Sequence, residues 1–283
     1  MLPMQVALVP ENQHVGLTAS NLTRVAAALQ KQVTRDFSPI WEVDATVDAF
    51  ASLEDVPLGY WPIIISKDSP DFALGYHTDK QGQPFSIVRF NANWSLTASH
   101  ECLEMLADPF GDRVVPGFSL REGQGRVSYL VEVCDPCESA SFAYTSNGTW
   151  VSDFYTPDFF DPQAVSGVRY DFTGKIKEPR QVLQGGYISW HEHRTNEWWQ
   201  VQFFGGEPKF VNLGVLENVR NLREAIDAKM KPTPEALGLP ESDQSLKAAQ
   251  QAWNQVEESS NARARMLRDT IREIKSGNNG NKS

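Results

Sequence analysis

The stretch TASHECLEMLADP, residues 97–109, decides how this chain is read. Wound as a helix at about 100° per residue, it gathers Leu96, Leu103, Leu106 and Ala107 into one apolar stripe, with the small Ser99 inside it. His100 and Glu104 stand one turn apart beside that stripe, and Thr97, Glu101 and Asp108 continue the polar side. An imidazole and a carboxylate at i and i+4 can grip one divalent ion, and Glu101 lies next to them, where it can reach a metal-bound water. Cys102 points about 200° away from His100, at the far border of the stripe, which suits a small core residue. Ser95 or Thr97 opens the helix, and Pro109 with Gly111 stops it after Asp108. A surface ion pair has the same His–Glu spacing, so the flanking chain has to arbitrate.

The segment resembles the active helix of the zincin metallopeptidases, HExxH, with Glu104 in place of the second histidine. What precedes it is similar as well: a helix, short strands, an edge strand expected at Phe85–Phe90, then the active helix. The likeness covers roughly residues 20–140 and implies an α+β fold with a mixed sheet. It implies zinc on His100 and Glu104, with Glu101 as the base that takes a proton from metal-bound water, whose pKa the ion lowers to about 7. Hydrolysis of an amide bond in a peptide or protein is the implied reaction. The longer set SHECLEMLADP, EVCDP and VSDFYTPDFF is similar to a group of bacterial and phage proteins with an HExxE helix, a likeness that carries no activity with it. A carboxylate in place of imidazole hardens the site, which suits zinc and also admits Mn²⁺, Mg²⁺ or Ca²⁺. It equally fits a zincin-like scaffold without catalysis, serving assembly in a phage particle or bacterial complex.

A third ligand is needed. Glu132 is the first choice, because it alternates away from Val127, Tyr129, Val131 and Val133 and a carboxylate in such a strand needs a partner. Asp135 is the second; the competing reading pairs Glu132 with Arg126 or Arg121 and makes Asp135-Pro136 a plain turn. A downstream glutamate is also what a gluzincin uses. His77 could reach the site from the sheet or bond to Asp79 in a turn. Tyr155 or Tyr144 could donate to a developing oxyanion, although the aromatic run VSDFYTPDFFDP reads first as core. His191 and His193 form an H-x-H pair at a hairpin turn, where solvent exposure is expected, and His14 has no visible partner. The odd, sparse set Cys102, Cys134 and Cys137 is no disulfide framework, and CDPC lacks a second pair for structural zinc.

Working outward, residues 20–37 read as an amphipathic helix capped by Ser20 or Asn21. Ile40–Val43, Tyr60–Ser66 and Phe85–Phe90 read as strands between turn residues. Hairpins are expected across Ser146-Asn147-Gly148 and between Tyr187–Trp190 and Trp198–Phe204, with a helix near Leu216–Met230. Residues 1–230 thus form one metal-binding domain. KPTPEALGLPESD, 231–243, reads as a linker, 244–276 as a helical appendage suited to self-association, and 277–283 as a disordered tail.

Ordinary globular composition, 41% hydrophobic and 22% charged, points to a sizeable core. No apolar run approaches the ~20 residues that span a bilayer, and the first residues lack a secretory pattern, so a cytoplasmic protein is expected. The formal net charge of -10 argues against a nucleic-acid surface over the main body. Trp190, Trp198 and Trp199 leave one further reading, a carbohydrate- or protein-binding module, conditional on their exposure.

Overall fold

The computed structural model describes residues 3–12, 15–67, 74–217, 219 and 221–230, with Arg265 and Asp269 beyond them. The chain divides into two compact units, Met1–Leu239 and Pro240–Ser283. The expected linker 231–243, the appendage 244–276 apart from Arg265 and Asp269, the tail 277–283 and His14 lie outside the described residues.

The fold is α+β, built on two five-stranded sheets. The first has the order β2-β1-β3-β5-β4. In it β1 (Met4–Pro10) runs parallel to both β2 (Ala45–Ala49) and β3 (Trp61–Ser66), and β3 runs parallel to β5 (Gln83–Arg89). Val6 to Val9 are all fully buried, because a parallel strand covered on both faces is a continuous apolar run. β4 (Gly75–Lys80) pairs antiparallel with β5 through a two-residue turn, Gln81 and Gly82, both at positive φ. The expected edge strand at Phe85–Phe90 is therefore internal, and β4 takes the edge. GYHTDK hides this because its buried residues, His77 and Thr78, are polar and adjacent.

Helix α1 (Ala19–Lys31) is capped by Thr18, whose Oγ1 accepts from the Asn21 amide, rather than by Ser20 or Asn21. It continues as a π-helical segment, Gln32–Phe37, and then α2 (Ser38–Trp41). The expected strand Ile40–Val43 is consequently a helix end: Pro39 sits in the first turn of α2 and Glu42 leaves it in the left-handed region. The wider π turn brings Gln32 inside, where its amide donates to Ser152 O and its oxygen accepts from Ser99 Oγ.

Helix α3 (Trp94–Ala107) starts at the Asn93 cap and packs against β5, β4 and the hairpin strand β9 (Thr149–Val151). Of its apolar stripe Ser99, Leu103, Leu106 and Ala107 are buried and Leu96 is half-buried. Its polar side is buried too, with Glu101 2% and Glu104 0% exposed, so both glutamates must find partners inside the protein.

The second sheet, β12-β11-β10-β7-β6, is antiparallel throughout. It comprises β6 (Val114–Phe118), β7 (Arg126–Leu130), β10 (Tyr187–Glu192), β11 (Glu197–Gln202) and β12 (Lys209–Gly214). The hairpin of β8 (Tyr144–Ser146) and β9 turns through Asn147 and Gly148, both at positive φ, as the sequence indicates. The helix expected over Leu216–Met230 is shorter: α4 (Leu222–Asp227), capped by Asn221 accepting from the Glu224 amide.

One apolar core joins both sheets. It includes Leu8, Leu29, Phe37, Ile63, Leu103, Val131, Phe154, Tyr155 and Trp190. Trp190 and Trp198 are buried, and the half-buried Trp199 lies under the Arg121 guanidinium, so the exposure that a tryptophan-based binding surface requires is not met. Among the described residues no helix is long and apolar enough to cross a membrane.

Candidate metal centre

Three parts of the fold converge on the polar side of α3. β4 passes so close that a Cβ on Gly75 would lie 2.7 Å from Glu101 Oε1 and 2.7 Å from Thr97 Cγ2. Two residues on, the same strand delivers His77, fully buried against the helix. The chain leaving β7 brings Glu132 and then Asp135, which opens a short 3₁₀ turn, Asp135–Cys137. From the far end of the domain α4 contributes Arg223 and Asp227, an i,i+4 pair at 3.1 Å.

His100 Nε2 lies 3.2 Å from Glu104 Oε2 and 3.3 Å from Asp135 Oδ1. Among the described residues neither carboxylate oxygen has a hydrogen-bond partner. Two ligand atoms on a tetrahedral zinc ion, with bonds of about 2.0–2.1 Å, sit roughly 3.3 Å apart, so this spacing is that of a coordination edge. On the other side of Glu104, His77 Nδ1 lies 3.8 Å from the same Oε2 and 3.6 Å from Glu101 Oε2, again without hydrogen bonds. The second oxygen of Glu104 is fixed by the Cys134 amide at 3.2 Å. Four sets of three close ligand atoms can be drawn from these residues: His100, Glu104 and Cys134; His77, Glu101 and Glu104; His100, Asp135 and Glu138; Glu104, Glu132 and Asp135.

Arg223 is the fixed cation of the cluster. Its Nη1 contacts Glu132 Oε2, Asp135 Oδ2 at 2.8 Å and Glu104 Oε2 at 3.6 Å, and its Nη2 donates to Tyr187 Oη at 3.1 Å. One guanidinium cannot satisfy them all. Among the described residues Glu104, Glu132, Asp135 and Glu101 each retain at least one buried oxygen with no hydrogen bond, and the buried Tyr155 hydroxyl also has none. Desolvating an ion costs several kcal/mol unless its lone pairs are matched, so this donor set is suited to a further cation or to protons on its carboxylates. The electrostatics agree. Burial raises the Glu132 pKa well above the ordinary value and Asp135 to about 6. For Glu104 burial pulls upward too, but His100 and Arg223 outweigh it and hold the carboxyl below the usual range. Burial pulls the His100 pKa down, yet Glu104 and Asp135 raise it well above the ordinary value, the signature of an imidazole facing anions.

The other sequence candidates fall as follows. Asp108 is buried but occupied, its carboxylate accepting from the Asp112 and Arg113 amides, so it closes the helix and offers no ligand. His77 does not bond to Asp79, which instead accepts from the Gly82 amide; His77 reaches the cluster. Glu132 pairs with neither Arg121 nor Arg126 but with Arg223. Tyr155 lies in the field of Glu132, Glu104 and Asp135, and burial first, then those carboxylates, raises its pKa well above the ordinary value. Tyr144 belongs elsewhere, donating to Asp36 at 2.9 Å. His191 and His193 bond to Asn196 and Ser128 respectively and join no ligand set among the described residues. All three cysteines are free and buried; Cys134 lies beside His100, its thiol directed at the His100 carbonyl.

Sequence reasoning missed Arg223, Asp227, Tyr187 and Glu138. For Arg223 there was a signal: Asn221-Leu222-Arg223-Glu224 is a helix start, and Arg223–Asp227 has i,i+4 spacing. A cavity of about 400 Å³ lined by Thr156, Asp158, Arg169 and Asp171 shares no residue with the cluster. No protein-family model, curated protein or solved structure matches the chain.

Proposed function

We propose that this domain binds a divalent cation, with zinc the best fit, on His100, Glu104 and Asp135, and that it hydrolyses amide bonds in a peptide or protein in the manner of a zincin. The observation that carries the reading is the placement of the His100 ring, whose nitrogen lies 3.2 Å and 3.3 Å from two buried carboxylate oxygens that make no hydrogen bond among the described residues. The mixed sheet with β4 at its antiparallel edge, followed by the helix, supports it. When bound, the ion supplies Lewis acidity and makes water a nucleophile near neutral pH.

The chain's own residues then divide the work. Glu101, buried beside the cluster, takes a proton on its carboxylate. Tyr155, kept protonated by burial, is a hydrogen-bond donor for a developing oxyanion. Arg223 pairs with both Glu132 and Asp135, and Asp135 is the one that reaches the His100 ring, at 3.3 Å, which favours it over Glu132 as the third ligand. His100, with its side chain 12% exposed, and the half-buried Glu138 mark where a substrate would approach.

A structural ion in a catalytically silent scaffold is the second reading. It is favoured by how closed the site is, since structural zinc sites are closed and catalytic ones keep an open position. Assay of the purified full chain against a peptide library separates the two. Catalysis predicts turnover that falls by about 10²–10⁴ in Glu101→Gln while the ion at His100 is retained. Absence of turnover with the ion bound would leave the scaffold.

A further inference from the structure

We propose a second divalent cation on the far side of Glu104, held by His77 Nδ1, Glu101 Oε2 and Glu104 Oε2, so that Glu104 Oε2 is shared by two ions. This rests on the single-ion reading for the other neighbour of Glu104 and extends it to a binuclear centre.

The argument begins with the ring of His77. Its Nε2 lies 3.0 Å from the carbonyl oxygen of Asp108, which can only accept, so Nε2 carries the ring hydrogen. In the neutral ring Nδ1 is then a lone pair. That lone pair faces two carboxylate oxygens at 3.6 Å and 3.8 Å in a site with no exposure, an arrangement that is repulsive unless a cation stands between them. A proton on Nδ1 would give a charge-assisted bond of about 2.7–2.9 Å. The observed separations are too long, and among the described residues Nδ1, Glu101 Oε2 and Glu104 Oε2 all lack a hydrogen-bond partner. A cation with bonds of about 2.1–2.3 Å spaces its ligand atoms roughly 3.4–3.8 Å apart in a tetrahedral arrangement; both separations from His77 Nδ1 meet that requirement, and the three residues form one of the close ligand sets.

Charge points the same way. Glu101, Glu104, Glu132, Asp135 and Asp227 are buried together, and Arg223 is the one arginine that contacts them among the described residues. One guanidinium does not match five buried carboxyl groups, and each divalent ion reduces the negative charge held in the interior. Ions sharing a carboxylate oxygen lie about 3.5–4 Å apart, the separation at which two metals act together on one reacting group. Glu101 then binds through Oε2 and keeps Oε1 for proton transfer.

The test counts zinc on the full chain by native mass spectrometry, and follows Mn²⁺ loading by electron paramagnetic resonance. Wild type is expected to carry about two ions with a spin-coupled manganese signal. His77→Gln should drop to about one ion and lose the coupling, as should Glu101→Gln, which covers the case that the histidine variant folds poorly. About one ion in wild type, kept in both variants, would overturn the second position and leave the first standing. No ion in wild type would overturn both.

Discussion

Asp153 and Asp171 are fully buried, yet their oxygens find donors inside the protein. Asp153 accepts from the Phe154 and Thr173 amides and from Thr173 Oγ1, and Asp171 from the Lys175 and Ile176 amides. Burial and the neighbouring Asp171 push the Asp153 pKa up to about 8, so the pair holds a proton at neutral pH. Around Glu104 burial is as complete, but the donors run out: the oxygens of Glu101, Glu104, Glu132 and Asp135 meet two histidines, one guanidinium and little else. A buried carboxylate is therefore no sign of metal by itself. What points to a cation is an acceptor left without a donor after every local group has been matched.

Five changes would break or sharpen that contrast. The largest effect is expected from Arg223→Leu, which strips Glu132, Asp135 and Asp227 of their shared cation and should cost about 3–5 kcal/mol in a urea unfolding experiment. A loss under about 1 kcal/mol would show that the carboxylates are held some other way. Chelation comes next. An ion present at about 1,000 times its Kd adds about 4 kcal/mol, so EDTA should lower the melting temperature by roughly 10 °C in a domain of this size. Asp171→Asn should show the same drop, because the closed pair takes no part; a smaller drop would tie the two clusters together. Gly75→Ala forces a methyl into Glu101 and Thr97 and should cost about 1–3 kcal/mol, read as a shifted unfolding midpoint.

The smallest effect concerns Asp153. Its folded pKa lies above the unfolded value, so it contributes stability that is fully present below about pH 4 and is lost as pH rises towards 8. Asp153→Asn keeps the neutral form at every pH. It should be close to neutral at pH 5 and raise the melting temperature by a few degrees at pH 9. An unchanged slope between those values would mean that the proton is not shared.

The sequence was most informative where chemistry and periodicity coincide. The 97–109 helix stops where Asp108-Pro109 implies, and the Asn147-Gly148 turn forms because both residues tolerate positive φ. Local pattern failed where tertiary burial set the outcome. MQVALVP is too short a run to declare β1, and GYHTDK has no alternation because its edge strand leans its polar side chains on α3. Ile40–Val43 has strand composition but follows a π turn that carries the helix to Trp41. In the site, His100 and Glu104 are brought together by helix geometry, which is readable from spacing. Asp135 and Arg223 are brought to them by contacts across long sequence separations, which no window can see.

Metal content bears most directly on the reading of the cluster. Elemental analysis of the purified full chain, exposed to zinc and then desalted, should find at least about one ion per chain in wild type and under about a tenth of that in Glu104→Gln, the variant common to every proposed coordination. A folded wild-type protein that retains no zinc or other divalent metal would contradict it, and the unmatched oxygens around Glu104 would then need protons or water in place of an ion.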